Sequence, residues 1–101
     1  MNEKILSETL LELKRFFNVD TNSYKKGVLD EKTKELLGLV ASMVLRCDEC
    51  INYHLIQAKD KGVSREELYE VFTIALVVGG SIVIPHLRNA VAFLDELENN
   101  K

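Results

Sequence analysis

Along most of the chain, apolar residues recur every three or four positions, the spacing that lines one face of an α-helix. Ile5, Leu6, Leu10, Leu13, Phe16 and Phe17 follow it, so residues 3–17 are expected to form an amphipathic helix. The stretch NVDTNSYKKG that follows is rich in turn formers and reads as a loop ending at Gly27. Asp30 is placed to cap a second helix to about Leu45, with Leu36, Leu37, Val40, Met43 and Val44 on its apolar side. A third helix should open near Cys47 and Asp48 and run to about Lys61, where Gly62 supplies a stop. Ser64 and Glu67 have capping-box spacing and predict a fourth helix to about Val78. After GGS a fifth should end near Glu98, with Pro85 in its first turn. LVVGGSIVI is β-branched enough for a hairpin, but helical patterns flank it on both sides. The expected fold is all-α: one domain over residues 1–101, a compact bundle of about five helices.

One segment departs from the single-stripe pattern. Residues 72–84 are apolar around nearly the full helical circumference, and such a helix needs partners on every side. A chain of 101 residues has few helices to supply them, so a homo-oligomer is expected.

Composition narrows the class. Hydrophobic residues make up 47% and charged residues 29%, which is globular and not disordered. Thirteen basic residues face sixteen acidic ones, for a net charge of -3, and no basic stripe suggests a nucleic-acid partner. The opening MNEKILSETLLELKRFF lacks the continuous apolar core of a secretory signal. Val71 to His86, the longest uncharged run, is too short and too broken by glycine and proline to span a membrane. The expectation is a cytoplasmic protein with no membrane partner.

The chemistry concentrates in RCDECINYH, where both cysteines and one of the two histidines fall at C-x-x-C-x-x-x-H spacing. On a helix Cys47, Cys50 and His54 share one face, and His54 lies one turn beyond Cys50, within reach of its sulfur. A cysteine at a helix start gains from the unpaired N–H groups and the dipole, which favour a thiolate. Asp48 and Glu49 oppose this by like charge. The arrangement suits dithiol–disulfide exchange, and in a reducing compartment a close pair more often has redox or metal chemistry than a structural bridge. Two other uses stay open at this point. Two thiolates and an imidazole would leave zinc an open fourth position, with His86 a distant candidate to close it. Alternatively, the cysteines are small buried hydrophobes and His54 a satisfied core histidine.

From about Leu29 to Leu94 the sequence resembles the carboxymuconolactone decarboxylase superfamily, and within it the alkylhydroperoxidase AhpD-like branch. The residues that carry the likeness are LDEKTKELLGLVASMVLRCDECINYH, with Glu35 twelve positions before Cys47, and AKDKGVSREELYEVFTIALVVGG. The resemblance implies an all-α fold, homo-oligomers that are commonly trimers or hexamers, and a peroxidase site without cofactor or metal. By position it implies that Cys50 attacks the peroxide and Cys47 resolves the sulfenic acid into a disulfide. It further implies that His54 deprotonates Cys50 and that Glu35 orients the histidine or relays through water. Spacing alone would leave Glu35 a solvated surface acid. The implied partners are a peroxide or other small substrate and a thiol or disulfide reductant. Glu49 stands where the branch often has a histidine, a change that bears on thiol activation or on the reductant. His86 matches no fixed site position and reads as an exposed tail or interface residue. The decarboxylase branch, which acts on a lactone acid without depending on a cysteine pair, and a non-enzymatic redox sensor are the competing functions.

Overall fold

The computed structural model describes residues 10–99, which form five α-helices. They are α1 (Leu11–Ser23), α2 (Glu31–Val44), α3 (Asp48–Asp60), α4 (Arg65–Gly79) and α5 (Ile84–Asn99), with a 3-10 turn, Ser81–Val83, leading into α5. The all-α expectation holds, and the hairpin alternative fails: GGS is a helix break, with Gly80 at φ +81.

The helix ends follow local chemistry. Asp30 caps α2 by accepting from the Thr33 N–H at 2.7 Å, and that bond holds its carboxyl below the usual range. Ser64 and Glu67 form both halves of a capping box at the start of α4. Gly62, at φ +82, turns the chain after α3, as its position predicts. Pro85 lies in the first turn of α5, where its missing N–H has no intrahelical partner to lose.

The first helix differs from expectation. The expected segment 3–9 lies outside the described residues, Leu10 is extended, and the helix continues through Asn18–Ser23, which the composition marks as loop. No glycine or proline interrupts that stretch, and the Ser23 hydroxyl donates back to the Val19 carbonyl at 2.7 Å. None of the residues of this helix is buried, so polar side chains are accommodated along its whole length.

The core lies between the other four helices. Leu39 and Met43 of α2, Ile51, Leu55 and Ala58 of α3, and Leu68, Phe72 and Ala75 of α4 are buried, joined by Ala90 and Leu94 of α5. Helix α2 packs against both α3 and α4, and α5 lies on α3. At the far end of the bundle Glu98 accepts from Lys59 of α3 and pairs with Arg65 of α4, which also reaches Asp95. Lys59 first, then Arg65, holds the Glu98 carboxyl below its ordinary range. These part-buried pairs tie the helix ends together, while the apolar seam carries most of the stability.

Only one side of α4 is covered in the single chain. Phe72 and Ala75 face the core, while Ile74, Val77 and Val78, and Ile82 of the 3-10 turn, are more than half exposed. On α1, Phe16 and Val19 are each 64% exposed. No helix of the described residues is long and apolar enough to cross a membrane.

The capping box yields a stability test. Ser64→Ala removes the acceptor for the Glu67 N–H and should lower unfolding free energy by about 1 kcal/mol. Chemical denaturation should show a lower midpoint with an unchanged slope.

Candidate functional site

Cys47 is fixed from two sides. Helix α2 ends in a Schellman turn: Cys47 N–H donates to the Ser42 carbonyl and Arg46 N–H to the Met43 carbonyl, both at 3.1 Å. The turn needs a left-handed residue, and Arg46 takes it at φ 62, a position that ordinarily favours glycine. Cys47 is at the same time the N-cap of α3, its sulfur accepting from the Cys50 N–H at 3.3 Å. Cys47 and Cys50 are joined by a disulfide with Cα atoms 5.3 Å apart. Cys50 is exposed and Cys47 half-buried, which puts the bond at the surface.

His54 is buried in the wall between α2 and α3, 7% exposed. Its Nδ1 lies 2.9 Å from Glu35 Oε1, and Glu35 itself is 2% exposed. The solvated-surface reading of Glu35 is therefore incorrect. The α2/α3 packing turns the Glu35 face inward, and the carboxylate gains a second neighbour in Lys61 Nζ, 4.0 Å from Oε2. A buried carboxylate needs such partners, since unpaired burial costs several kcal/mol, on the order of 3–5 when one partner is removed.

The other ring nitrogen is also engaged. Tyr24 Oη approaches His54 Nε2 at 3.4 Å, and the two rings lie 5.2 Å apart. Burial, then the Glu35 charge, pushes the Tyr24 phenol up, so it stays protonated at neutral pH and can donate. The network then assigns the ring proton to Nδ1, donating to Glu35. Tyr53 makes a T-shaped contact with the His54 ring, and its phenol is pushed up by the same two causes. Tyr24 was not among the residues that spacing singled out. It lies in the segment expected to be loop, and only the extension of α1 to Ser23 brings it over the histidine.

Gly38 makes this packing possible. A Cβ built there would lie 2.6 Å from both His54 Cε1 and Tyr24 Oη, so a side chain and the imidazole cannot share the space.

Both ring nitrogens of His54 are directed to Glu35 and Tyr24, and the buried carboxylate orients the ring. His86 is not an exposed tail residue: it is half-buried on α5, with Nδ1 2.8 Å from Asp48 Oδ1. Among the described residues no three His, Cys, Asp or Glu side chains are grouped to hold a metal ion, so the zinc arrangement of Cys47, Cys50, His54 and His86 is not assembled.

The geometry thus pairs a surface disulfide at the start of α3 with a carboxylate–imidazole–phenol array centred on His54, one turn beyond Cys50 on that helix. Such an array can hold and pass a proton, and the adjacent dithiol can cycle two electrons.

Comparison with known proteins supports the fold and shows the family. The chain is 63% identical to a Thermotoga maritima protein, TM1620, whose crystal structure superposes with a TM-score of 0.95 over 97% of this chain and 86% of that one. A second structure of TM1620 gives a TM-score of 0.89 at 62% identity, covering 91% and 95% of the two chains. That protein is described as a carboxymuconolactone decarboxylase family member with a suggested part in an antioxidative response. A family member from Legionella pneumophila, at 28% identity over 93% of this chain and 84% of its own, gives a TM-score of 0.85. An uncharacterized protein of the cox locus in Paracoccus denitrificans is 29% identical over 74% of this chain and 68% of its own length. The carboxymuconolactone decarboxylase family model matches residues 12–96, which reach into all five helices and include every residue of the site. The chain belongs to the carboxymuconolactone decarboxylase family.

Proposed function

We propose that the chain is a thiol-dependent peroxidase of the alkylhydroperoxidase AhpD-like type, cycling Cys47 and Cys50 between dithiol and disulfide. The observation that carries this reading is the buried Glu35–His54 pair one helical turn from an accessible cysteine pair. A purely structural disulfide has no use for a buried proton-holding array beside it. The suggested antioxidative role of TM1620 points the same way.

In the first step the Cys50 thiolate attacks a peroxide oxygen, the S–O bond forms as O–O breaks, and the leaving alkoxide takes a proton. The Cys47 sulfur then attacks Cys50, forming S–S and releasing water from the sulfenic acid. A small-molecule or protein dithiol returns two electrons and two protons. Cys50 is assigned the first attack because it is the exposed cysteine and is four residues from His54. With Tyr24 on Nε2, the thiol proton reaches the imidazole through a bridging hydroxyl or after Tyr24 moves aside. Glu35 stabilises the imidazolium that results.

The exposed apolar faces of α1, α4 and the 3-10 turn support a homo-oligomer, a trimer or hexamer, formed by burying Ile74, Val77, Val78 and Ile82 against other copies.

A reductant-coupled peroxide assay tests the mechanism. Cys50→Ser should abolish turnover, whereas Cys47→Ser should react once and leave a sulfenic acid that a dimedone probe labels on Cys50. His54→Ala should slow the first step by about 10²- to 10⁴-fold and Glu35→Gln by less. Gly38→Ala should slow it too, although all four site residues remain, because the added methyl displaces the imidazole. Labelling of Cys47 in the Cys50→Ser protein would reverse the two roles, and a reduced chain inert to peroxide would refute the reading.

Light scattering tests the assembly. The expected mass is a multiple of 11.5 kDa, and Ile82→Glu should return it towards a single chain. A wild-type mass of one chain at micromolar concentration would contradict the oligomer.

A further inference from the structure

Asp48 follows Cys47 directly and opens α3. Two side chains of α5 engage it. His86 Nδ1–H donates to Oδ1 at 2.8 Å, and Asn89 Nδ2 donates to Oδ2 at 3.3 Å. His86 and Asn89 are three residues apart on one helix face, so a single surface of α5 takes both oxygens of the carboxylate. None of these three residues is hydrogen-bonded to Glu35, His54 or Tyr24.

The position matters because two effects oppose each other at Cys47. Its sulfur occupies the N-cap site, where the first N–H groups of α3 favour a thiolate. The Asp48 carboxylate, one residue away, disfavours a second negative charge. A donor that disperses the Asp48 charge, and keeps the carboxylate turned to α5, tips the balance towards the thiolate.

We propose that His86, assisted by Asn89, is a positioning residue for the cysteine pair: by holding the Asp48 carboxylate against α5 it favours the thiolate of Cys47 and so sets the dithiol–disulfide equilibrium of Cys47 and Cys50. The proposal rests on the redox use of this pair, but not on peroxide being the oxidant. In exchange with dithiothreitol, a reagent thiolate attacks one protein sulfur and the protein S–S bond breaks. The second reagent thiol then displaces the mixed disulfide, closing the reagent's own S–S bond. Two electrons and two protons pass to the protein. Whatever stabilises a protein thiolate displaces this equilibrium towards the reduced chain.

The test equilibrates the full chain at pH 7 with graded ratios of reduced and oxidised dithiothreitol and counts alkylated thiols by intact mass. His86→Ala should shift the equilibrium about two- to fivefold towards the disulfide, the range of a charge near a helix start. At about 30 mV per tenfold this is a fall of about 10–20 mV in reduction potential. Asp48→Asn should shift it the other way. In the Asp48→Asn background His86→Ala should add nothing, and His86→Gln, which keeps a donor, should recover most of the loss. An unshifted equilibrium in folded His86→Ala would overturn the proposal. So would a shift of equal size in the Asp48→Asn background, since that would be a packing effect. Should His86→Ala not fold, Asp48→Asn decides alone, and an unmoved equilibrium there overturns it. Because the readout uses no peroxide, failure of the peroxidase reading shows separately, in the turnover assay.

Discussion

The hydrogen bond between Glu35 and His54 is the constraint around which the site is built. A carboxylate that is almost wholly buried must be compensated, and the imidazole at 2.9 Å with Lys61 beyond it supplies the compensation. This requirement sets the approach of α2 to α3. It also explains Gly38, since any side chain there would occupy the volume of the imidazole. The ring, locked on Nδ1 by Glu35, presents Nε2 to Tyr24, whose hydroxyl borders the same space. A polar array of this kind is strongest when every member is satisfied, and no buried side-chain nitrogen or oxygen among the described residues lacks a partner.

The cysteines are placed by backbone geometry instead. Cys47 ends one helix and starts the next, so the Schellman turn of α2 and the N-cap of α3 act on the same residue. The connection is short because Arg46 accepts a left-handed conformation at some energetic cost, and strain of this kind tends to persist where the surroundings over-determine it. Rigid placement of one sulfur and exposure of the other suit a bond that is repeatedly made and broken. Around it stand two separate carboxylate–imidazole pairs, Glu35 with His54 on the buried side and Asp48 with His86 towards α5.

What was legible in the sequence was what is decided locally. Asp30, the Ser64–Glu67 box, Gly62 and Pro85 act within a turn of where they stand, and each does what its spacing implies. The motif C-x-x-C-x-x-x-H located the site because its members lie on one helix. Its partners were harder to find because they arrive from elsewhere. The burial of Glu35 depends on a packing partner in α3, nineteen residues on, and only family likeness marked it. Tyr24 depends on α1 running six residues further than its apolar pattern. His86 looked incidental because its partner Asp48 is 38 residues away. Register places the His54 Cα atom one turn from Cys50, but the orientation of its ring is set by the buried Glu35 carboxylate, which register does not reveal.

The central claim is that the Glu35–His54 pair serves the cysteine couple as its proton store. The most direct measurement is ¹⁵N NMR of the His54 imidazole, compared between the oxidised and the fully reduced chain at the same pH. The account predicts that reduction changes the protonation or tautomer of the ring, seen as a displacement of the Nδ1 and Nε2 resonances that is lost in Glu35→Gln. Identical His54 resonances in the two redox states, across the neutral pH range, would contradict it.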